Sequence, residues 1–181
     1  MKIYLIAGKA ESGKTTFATL LREELKEYGY KPCIMHITEP LYQYAKNYFE
    51  WNENENEKPR EFLQKMGIEI IQQKLNKKNF LLNRLFEDIE ILDNFFDIFI
   101  ICDIRLINEL ETINKKYNDV ISIKIERNNH NNRLTEEEKN HITEKEIDKY
   151  NKYDYIIKNE KLDELKEQAQ ELIRNEETYE R

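Results

Sequence analysis

The sequence predicts an α/β protein with a parallel sheet in a three-layer arrangement, and three observations carry that expectation. An apolar opening strand from Lys2 to Ala7 runs directly into a glycine-framed turn and then a helix. Strand-like and helix-like periodicities alternate beyond it. Residues 95–103 form a nearly unbroken apolar run, the pattern of a central parallel strand covered on both faces, with Asp103 at its carboxyl end.

Each element follows from its spacing. After the turn, Phe17, Leu20, Leu21 and Leu25 recur with helical period, and Gly29 supplies a stop. Residues 32–37 read as a second strand holding His36, where it reads as a satisfied core histidine. Leu41, Tyr44, Ala45 and Tyr48 then share one helix face. Residues 50–57 carry no periodicity and end near Pro59, so they read as a solvated loop. Phe62, Met66 and Ile70 lie four apart with Leu63 and Ile71 beside them, and a second helix spans about 81–92. These helices predict an insertion, about 50–94, serving as a lid or acceptor-binding subdomain. A helix near 108–117, a strand at 120–125, a polar stretch of lid-like composition at about 127–143, a last strand at 153–157 and an amphipathic final helix complete the chain. With 181 residues and no internal repeat, a single domain over 1–181 is expected.

Composition narrows the partners. A net charge of −7 disfavours a nucleic-acid or anionic-membrane binder, since phosphate polymers are held by excess Lys and Arg; any phosphate must be held by a local basic pocket. Cys33 and Cys102 sit inside apolar runs and read as buried packing thiols, which points to a cytoplasmic, disulfide-free protein. No apolar stretch approaches a membrane span, and Met1 leads into a strand without signal-peptide architecture. No His/Cys cluster has zinc-ligand spacing. A homodimer is compatible with the sequence but not read from it.

The chemistry concentrates in one loop. Gly8, Lys9, Ala10, Glu11, Ser12, Gly13, Lys14 and Thr15, followed by Thr16, match G-x-x-x-x-G-K-[ST] between a buried strand and a helix N-terminus, the context a P-loop requires. Glycines let backbone amides point inward, the helix dipole adds positive potential, Lys14 reaches the β- and γ-phosphates, and Thr15 ligates Mg²⁺. The chain holds only four glycines, and two fall where the loop needs them, which argues against a chance match. ATP with Mg²⁺ is the expected cofactor of a P-loop NTPase fold. No Asp stands three residues before any glycine, so a GTPase switch is missing. Residues 151–154 imitate a guanine-reading Asn-Lys-x-Asp but precede a strand where such a loop should follow one. Protein-kinase motifs are absent too, leaving a small-molecule acceptor.

Several segments in order then resemble the deoxynucleoside monophosphate kinases of bacteriophages and some bacteria. They are the phosphate loop; Arg60 with Leu63, Gln64, Gly67 and Glu69; Asp103, Arg105, Asn108 and Glu109; Arg127; His141, Thr143 and Glu144; and Asp154 through Asn159. Leu106 stands where the family often has an aromatic, and Asn140 where it has an acid. The resemblance implies transfer of the γ-phosphate of ATP to a small (deoxy)nucleoside monophosphate, with Asp103 holding Mg²⁺ through water or orienting an acceptor oxygen. A helix N-cap would also account for Asp103. Arg105, at the sheet's carboxyl edge where α/β ligands bind, reads as a phosphate contact, with a surface ion pair as the alternative. Arg127 and Arg133 read as lid arginines closing over ATP, with a solvated loop as the alternative for Arg133. Arg60 and Gln64, one helical turn apart, are candidates to grip the acceptor phosphate and base, with a solvent-facing placement as the alternative. Glu39 is a candidate for its sugar or base, or a carboxylate favoured at a helix start. A kinase resembling dephospho-coenzyme A kinase and a non-catalytic nucleotide-binding module remain the alternatives.

Overall fold

A computed structural model of the chain describes residues 1–52, 59–127 and 141–179. In chain order the elements are β1 (Lys2–Ala7), α1 (Lys14–Glu27), β2 (Pro32–Met35), α2 (Glu39–Phe49), α3 (Arg60–Gln64) continuing as a π-helical segment (Lys65–Lys74), and α4 (Phe80–Leu92). There follow β3 (Ile98–Ile104), α5 (Ile107–Lys116), β4 (Val120–Glu126), α6 (Ile142–Lys145), a 3-10 turn (Ile147–Lys149), β5 (Tyr155–Lys158) and α7 (Leu162–Tyr179). Backbone contacts divide the chain into two compact units, Met1–Met35 with Leu92–Arg181, and His36–Ile91.

The first unit holds one five-stranded sheet, ordered β2-β3-β1-β4-β5 and parallel throughout. Alternation along the strands sends two sets of side chains to opposite faces. Tyr4 and Ile6 of β1, Ile98 and Ile100 of β3 and Ile121, Ile123 and Ile125 of β4 form one face, covered by Phe17, Leu21 and Leu25 of α1 and Leu165, Leu172 and Ile173 of α7. Ile3 and Leu5 point the other way and are equally buried, and α5 packs near β4 on buried Leu110 and Ile113. Each such side chain contributes about 1.5–3 kcal/mol of burial, so this core is what holds the carboxyl edge of the sheet in place. The expected three-layer α/β architecture is present.

Strand ends differ from the periodicity in three places, one being β5, which begins at Tyr155 and not at residue 153; the other two have clear causes. β2 stops at Met35, opposite Ile101, where its ladder with β3 ends; His36 lies beyond it, and its carbonyl accepts from the Glu39 amide. His36 is therefore a turn residue, not a strand residue. At the start of β3, Phe95 is 66% exposed because the amides of Phe95 and Phe96 both bond back to the Leu92 carbonyl, closing a turn that delays the strand to Ile98. Cys102 is buried as expected, whereas Cys33 is half-buried, with desolvation raising its thiol pKa and so keeping it unreactive.

In the second unit, α2 begins at Glu39 with Pro40 in its first turn and ends at Glu50 in the left-handed conformation. The four-residue spacing of Phe62, Met66 and Ile70 does not mark the buried stripe. The Lys65–Lys74 segment is π-helical and its i→i+5 bonding shifts the stripe: Phe62, Met66 and Ile70 are half-buried, while Ile71, read beside them, and Gly67 are buried. Gly67 lets this segment approach α2, since a Cβ there would lie 3.1 Å from Leu41 Cδ1. Among the described residues, no helix is long and apolar enough to cross a membrane.

Candidate active site

The strand order sets the place of the site. β1 lies between β3 and β4; the chain crosses from β1 to β2 on one side and from β3 to β4 on the other, so the crevice outside the carboxyl ends of β1 and β3 is a topological switch point. In the register, Ala7 stands beside Ile104 of β3 and Lys124 of β4. The loop beginning at Gly8 is thus flanked by Arg105 just past β3 and by Arg127 just past β4.

Within that loop the backbone takes conformations that side chains resist. Gly8 has φ +149, and a Cβ there would lie 2.7 Å from the Ile125 carbonyl oxygen and 2.8 Å from Ser12 Oγ. Gly13 has φ +99 and caps α1; a Cβ on it would run into the Asn159 carboxamide. Glu11 sits at φ 60 without being glycine, a local strain of the kind found at ligand clamps. No side chain caps α1 and no acid lies in its first turn, so its positive end faces the loop uncompensated.

Lys14 is 7% exposed, and its ammonium donates to the Gly8 carbonyl at 2.7 Å and to the Lys9 carbonyl. An ammonium is a donor only, and these two bonds aim its charge along the loop, where an anion would be met. Ser12 is buried as well, and its hydroxyl has no hydrogen-bond partner among the described residues. Thr15 and Thr16 are exposed at the helix start.

Arg127 donates to the Glu11 carbonyl at 3.4 Å, which puts this exposed guanidinium at the loop rim. Asp103 lies inside β3, one residue before its end, and Leu106 occupies the N-cap of α5. The structure thus removes the N-cap explanation of Asp103. Arg133 falls outside the described residues, as do Asn140 and residues 53–58 of the acidic loop. Glu39, Arg60 and Gln64 belong to the second unit. Glu39 is exposed and accepts from Gln43 at 2.7 Å, while Arg60 and Gln64 are half-buried in α3.

Four further groups act at this edge: the sequence offered Glu109 and Asn159 only as residues of family-like segments, with no role, and it did not single out Asp148 or Glu146. The Asn159 carboxamide donates to the Ser12 carbonyl at 2.8 Å while its amide donates to the Glu126 carbonyl, tying the β5–α7 turn to the loop. Asp148 pairs with Lys9 at 2.6 Å and with Lys124 at 3.6 Å. Glu146 accepts from the Ile107 amide at 2.8 Å. Glu109 accepts from the Arg105 and Leu106 amides at 2.8 and 2.9 Å, the reciprocal half of a capping box. The Glu-after-cap spacing carried a signal for Glu109, and Asn159 closes a family-like segment; nothing local marks Asp148 or Glu146. Asp154 has a structural task, its carboxylate accepting from the amide and hydroxyl of Ser122, both at 2.7 Å. His141 caps α6 through Nδ1, which accepts from the Thr143 amide.

Burial pushes the Glu109 carboxyl up to about 7, with the two backbone amides opposing and the Asp103 charge assisting. A carboxyl raised above its ordinary 4.5 makes the folded state hold a proton the unfolded chain has released. Its stabilisation is complete below about pH 4.5 and is lost as pH rises through about 7. Glu109→Gln keeps an acceptor oxygen and lacks the titration. Across pH 5 to 8, guanidinium unfolding should show the wild type losing stability relative to this variant, by roughly 3 kcal/mol. Parallel pH curves for the two proteins would remove the assignment.

A glycine-framed loop with a buried lysine, at the switch point of a parallel sheet, defines a P-loop α/β protein. A family model for deoxynucleotide monophosphate kinases matches residues 35–169, and the chain belongs to that family. Two solved structures share the fold: APS kinase of Mycobacterium tuberculosis in complex with AMPPNP and APS, 14% identical, covering 95% of both chains at a TM-score of 0.55, and shikimate kinase of Aquifex aeolicus, 16% identical, covering 98% of this chain and 99% of that one at a TM-score of 0.50. No protein with a curated description matches closely enough in sequence to count as a relative.

Proposed function

We propose that this nucleotide kinase transfers the γ-phosphate of ATP to a (deoxy)nucleoside monophosphate, giving the diphosphate and ADP. The observation that carries the reading is the loop from Gly8 to Thr16, with Lys14 buried at its mouth and α1 left uncapped behind it. Membership of the family supplies the acceptor class.

In this reading, the amides from Gly8 to Thr16 and the orphaned Ser12 hydroxyl cradle the donor phosphates, and Lys14 bridges β and γ. Mg²⁺ would be held by Thr15 and Asp103, completed by phosphate oxygens and water. The described residues offer no group of three acidic, His or Cys ligands, which fits an ion that arrives with its nucleotide. Arg105, Arg127 and Arg133 oppose the charge that develops on the transferred group. Glu39, Arg60 and Gln64 hold the acceptor, so the helical insertion works as its subdomain within one kinase domain acting on soluble nucleotides.

The test is a coupled ADP-release assay with MgATP against each ribo- and deoxyribonucleoside monophosphate. Turnover with at least one supports the proposal. Inertness with all, in a protein that binds MgATP, overturns it; turnover with dephospho-coenzyme A in their place would identify the acceptor as that molecule.

A further inference from the structure

We propose that the turn Glu146-Ile147-Asp148 is a brace that positions the phosphate loop against the β3–α5 loop, with Glu146 and Asp148 as positioning residues. The two loops it touches lie on different elements, and the turn reaches each with a different side chain. Glu146 Oε1 takes the Ile107 amide at the first turn of α5, two residues beyond Arg105. Asp148 takes the Lys9 ammonium at 2.6 Å through one oxygen and the Lys124 ammonium at 3.6 Å through the other.

Between these two contacts Ile147 is fully buried, which fixes the turn as a body and keeps the two carboxylates from moving independently. Its carbonyl accepts from the Tyr153 hydroxyl at 3.2 Å, and Tyr153 stacks edge-on against Tyr150 at 4.9 Å between ring centres. Burial raises the Tyr153 pKa, so the hydroxyl stays a donor. Glu126 shares Lys124 at 2.9 Å, so the Asp148 end is held on β4 as well as on the loop.

A pair of exposed ion pairs alone would add little. The geometry points to more because the partners are selected: one lysine follows the first loop glycine directly, and one amide opens the helix after Asp103 and Arg105. Displacing either end should move the donor-binding loop relative to the residues expected to meet the transferred phosphoryl group. In-line transfer is sensitive to such displacement.

This inference rests on the kinase reading for its kinetic arm but not for its structural arm. Hydrogen exchange of the protein without nucleotide compares wild type with Asp148→Ala and Glu146→Ala. A brace carries the effect across: Asp148→Ala should speed exchange at Ile107 by about tenfold or more, and Glu146→Ala should do so at the loop amides from Lys9 to Gly13. Changes confined to each variant's own end, or none, overturn the proposal. Lys9→Met cuts the same tie from the other side and serves if an alanine variant does not fold. In assays, Glu146→Ala should lower kcat about tenfold with the ATP KM within about threefold. Glu146→Gln, which keeps an acceptor oxygen, should restore it. Equal loss in both Glu146 variants overturns the positioning role. A wild type without turnover would defeat the kinase reading and leave the exchange result to judge the brace.

Discussion

Lys14→Ala should lower kcat by ~100- to 1,000-fold or more, the loss of about 3–4 kcal/mol typical of removing one donor aimed at developing charge in a dry site. The Lys14 side chain is nearly completely buried, and the carbonyls of Gly8 and Lys9 aim its ammonium. A low-dielectric setting makes such a charge worth far more than at the surface. The fold should survive. Removing the ammonium leaves two carbonyls short of a donor, which costs about 1–3 kcal/mol, within the roughly 5–15 kcal/mol stability of a domain. Lys14→Met, which keeps the aliphatic stem, separates packing from charge and should be as inactive as the alanine variant. Near-normal turnover in either, with unfolding curves like those of the wild type, would remove Lys14 from the chemistry.

The sequence made this loop legible because all its parts are contiguous: strand, glycines, lysine and helix start lie within residues 2–27, and the physics that joins them is local. The sheet was legible for a similar reason, since a buried parallel strand such as β3 must read as an apolar run. Contacts made across the chain were not. Asn159 reaches Ser12 over 147 residues, and Glu146 reaches Ile107 over 39. A polar residue carries no mark of which amide it will meet after folding, and Asp148 reads like any surface acid until its two lysines are brought beside it. Periodicity failed where the backbone changed its period: the Met66 and Ile70 spacing presumed an α-helix, and the Lys65–Lys74 segment bonds one residue further on. His36 was misplaced because propensity continues past Met35 while the ladder with β3 does not. The arginines divide in the same way: the strand-end position of Arg127 made its approach to the loop readable, whereas nothing in spacing fixes the partner of Arg60.

Gly8→Ala should be the most damaging single-methyl change in the loop. Two penalties act together. A φ of +149 is strained for any residue with a Cβ, at roughly 1–3 kcal/mol. The added methyl would also meet the Ile125 carbonyl oxygen at 2.7 Å. That atom belongs to the backbone of β4, which is paired with β1 on one side and, at this residue, with Ile157 of β5 on the other. It cannot swing aside as a side-chain end can, so overpacking adds about 1–3 kcal/mol or forces the loop outward. Since the loop is less constrained than the sheet, it should be the part that yields, carrying the Gly8 carbonyl away from Lys14 and turning amides from the phosphate path. The expected result is a loss of roughly 2–5 kcal/mol in denaturant unfolding and of MgATP binding by calorimetry. Gly29→Ala is the control that isolates the second penalty: Gly29 has φ +87 but no atom within 4 Å of a Cβ, so it should lose only about 1 kcal/mol and bind nucleotide normally. If the two variants lost equal stability, backbone conformation alone would account for Gly8. If Gly8→Ala kept wild-type affinity for MgATP, the close approach of the loop to β4 would have no part in shaping the nucleotide site.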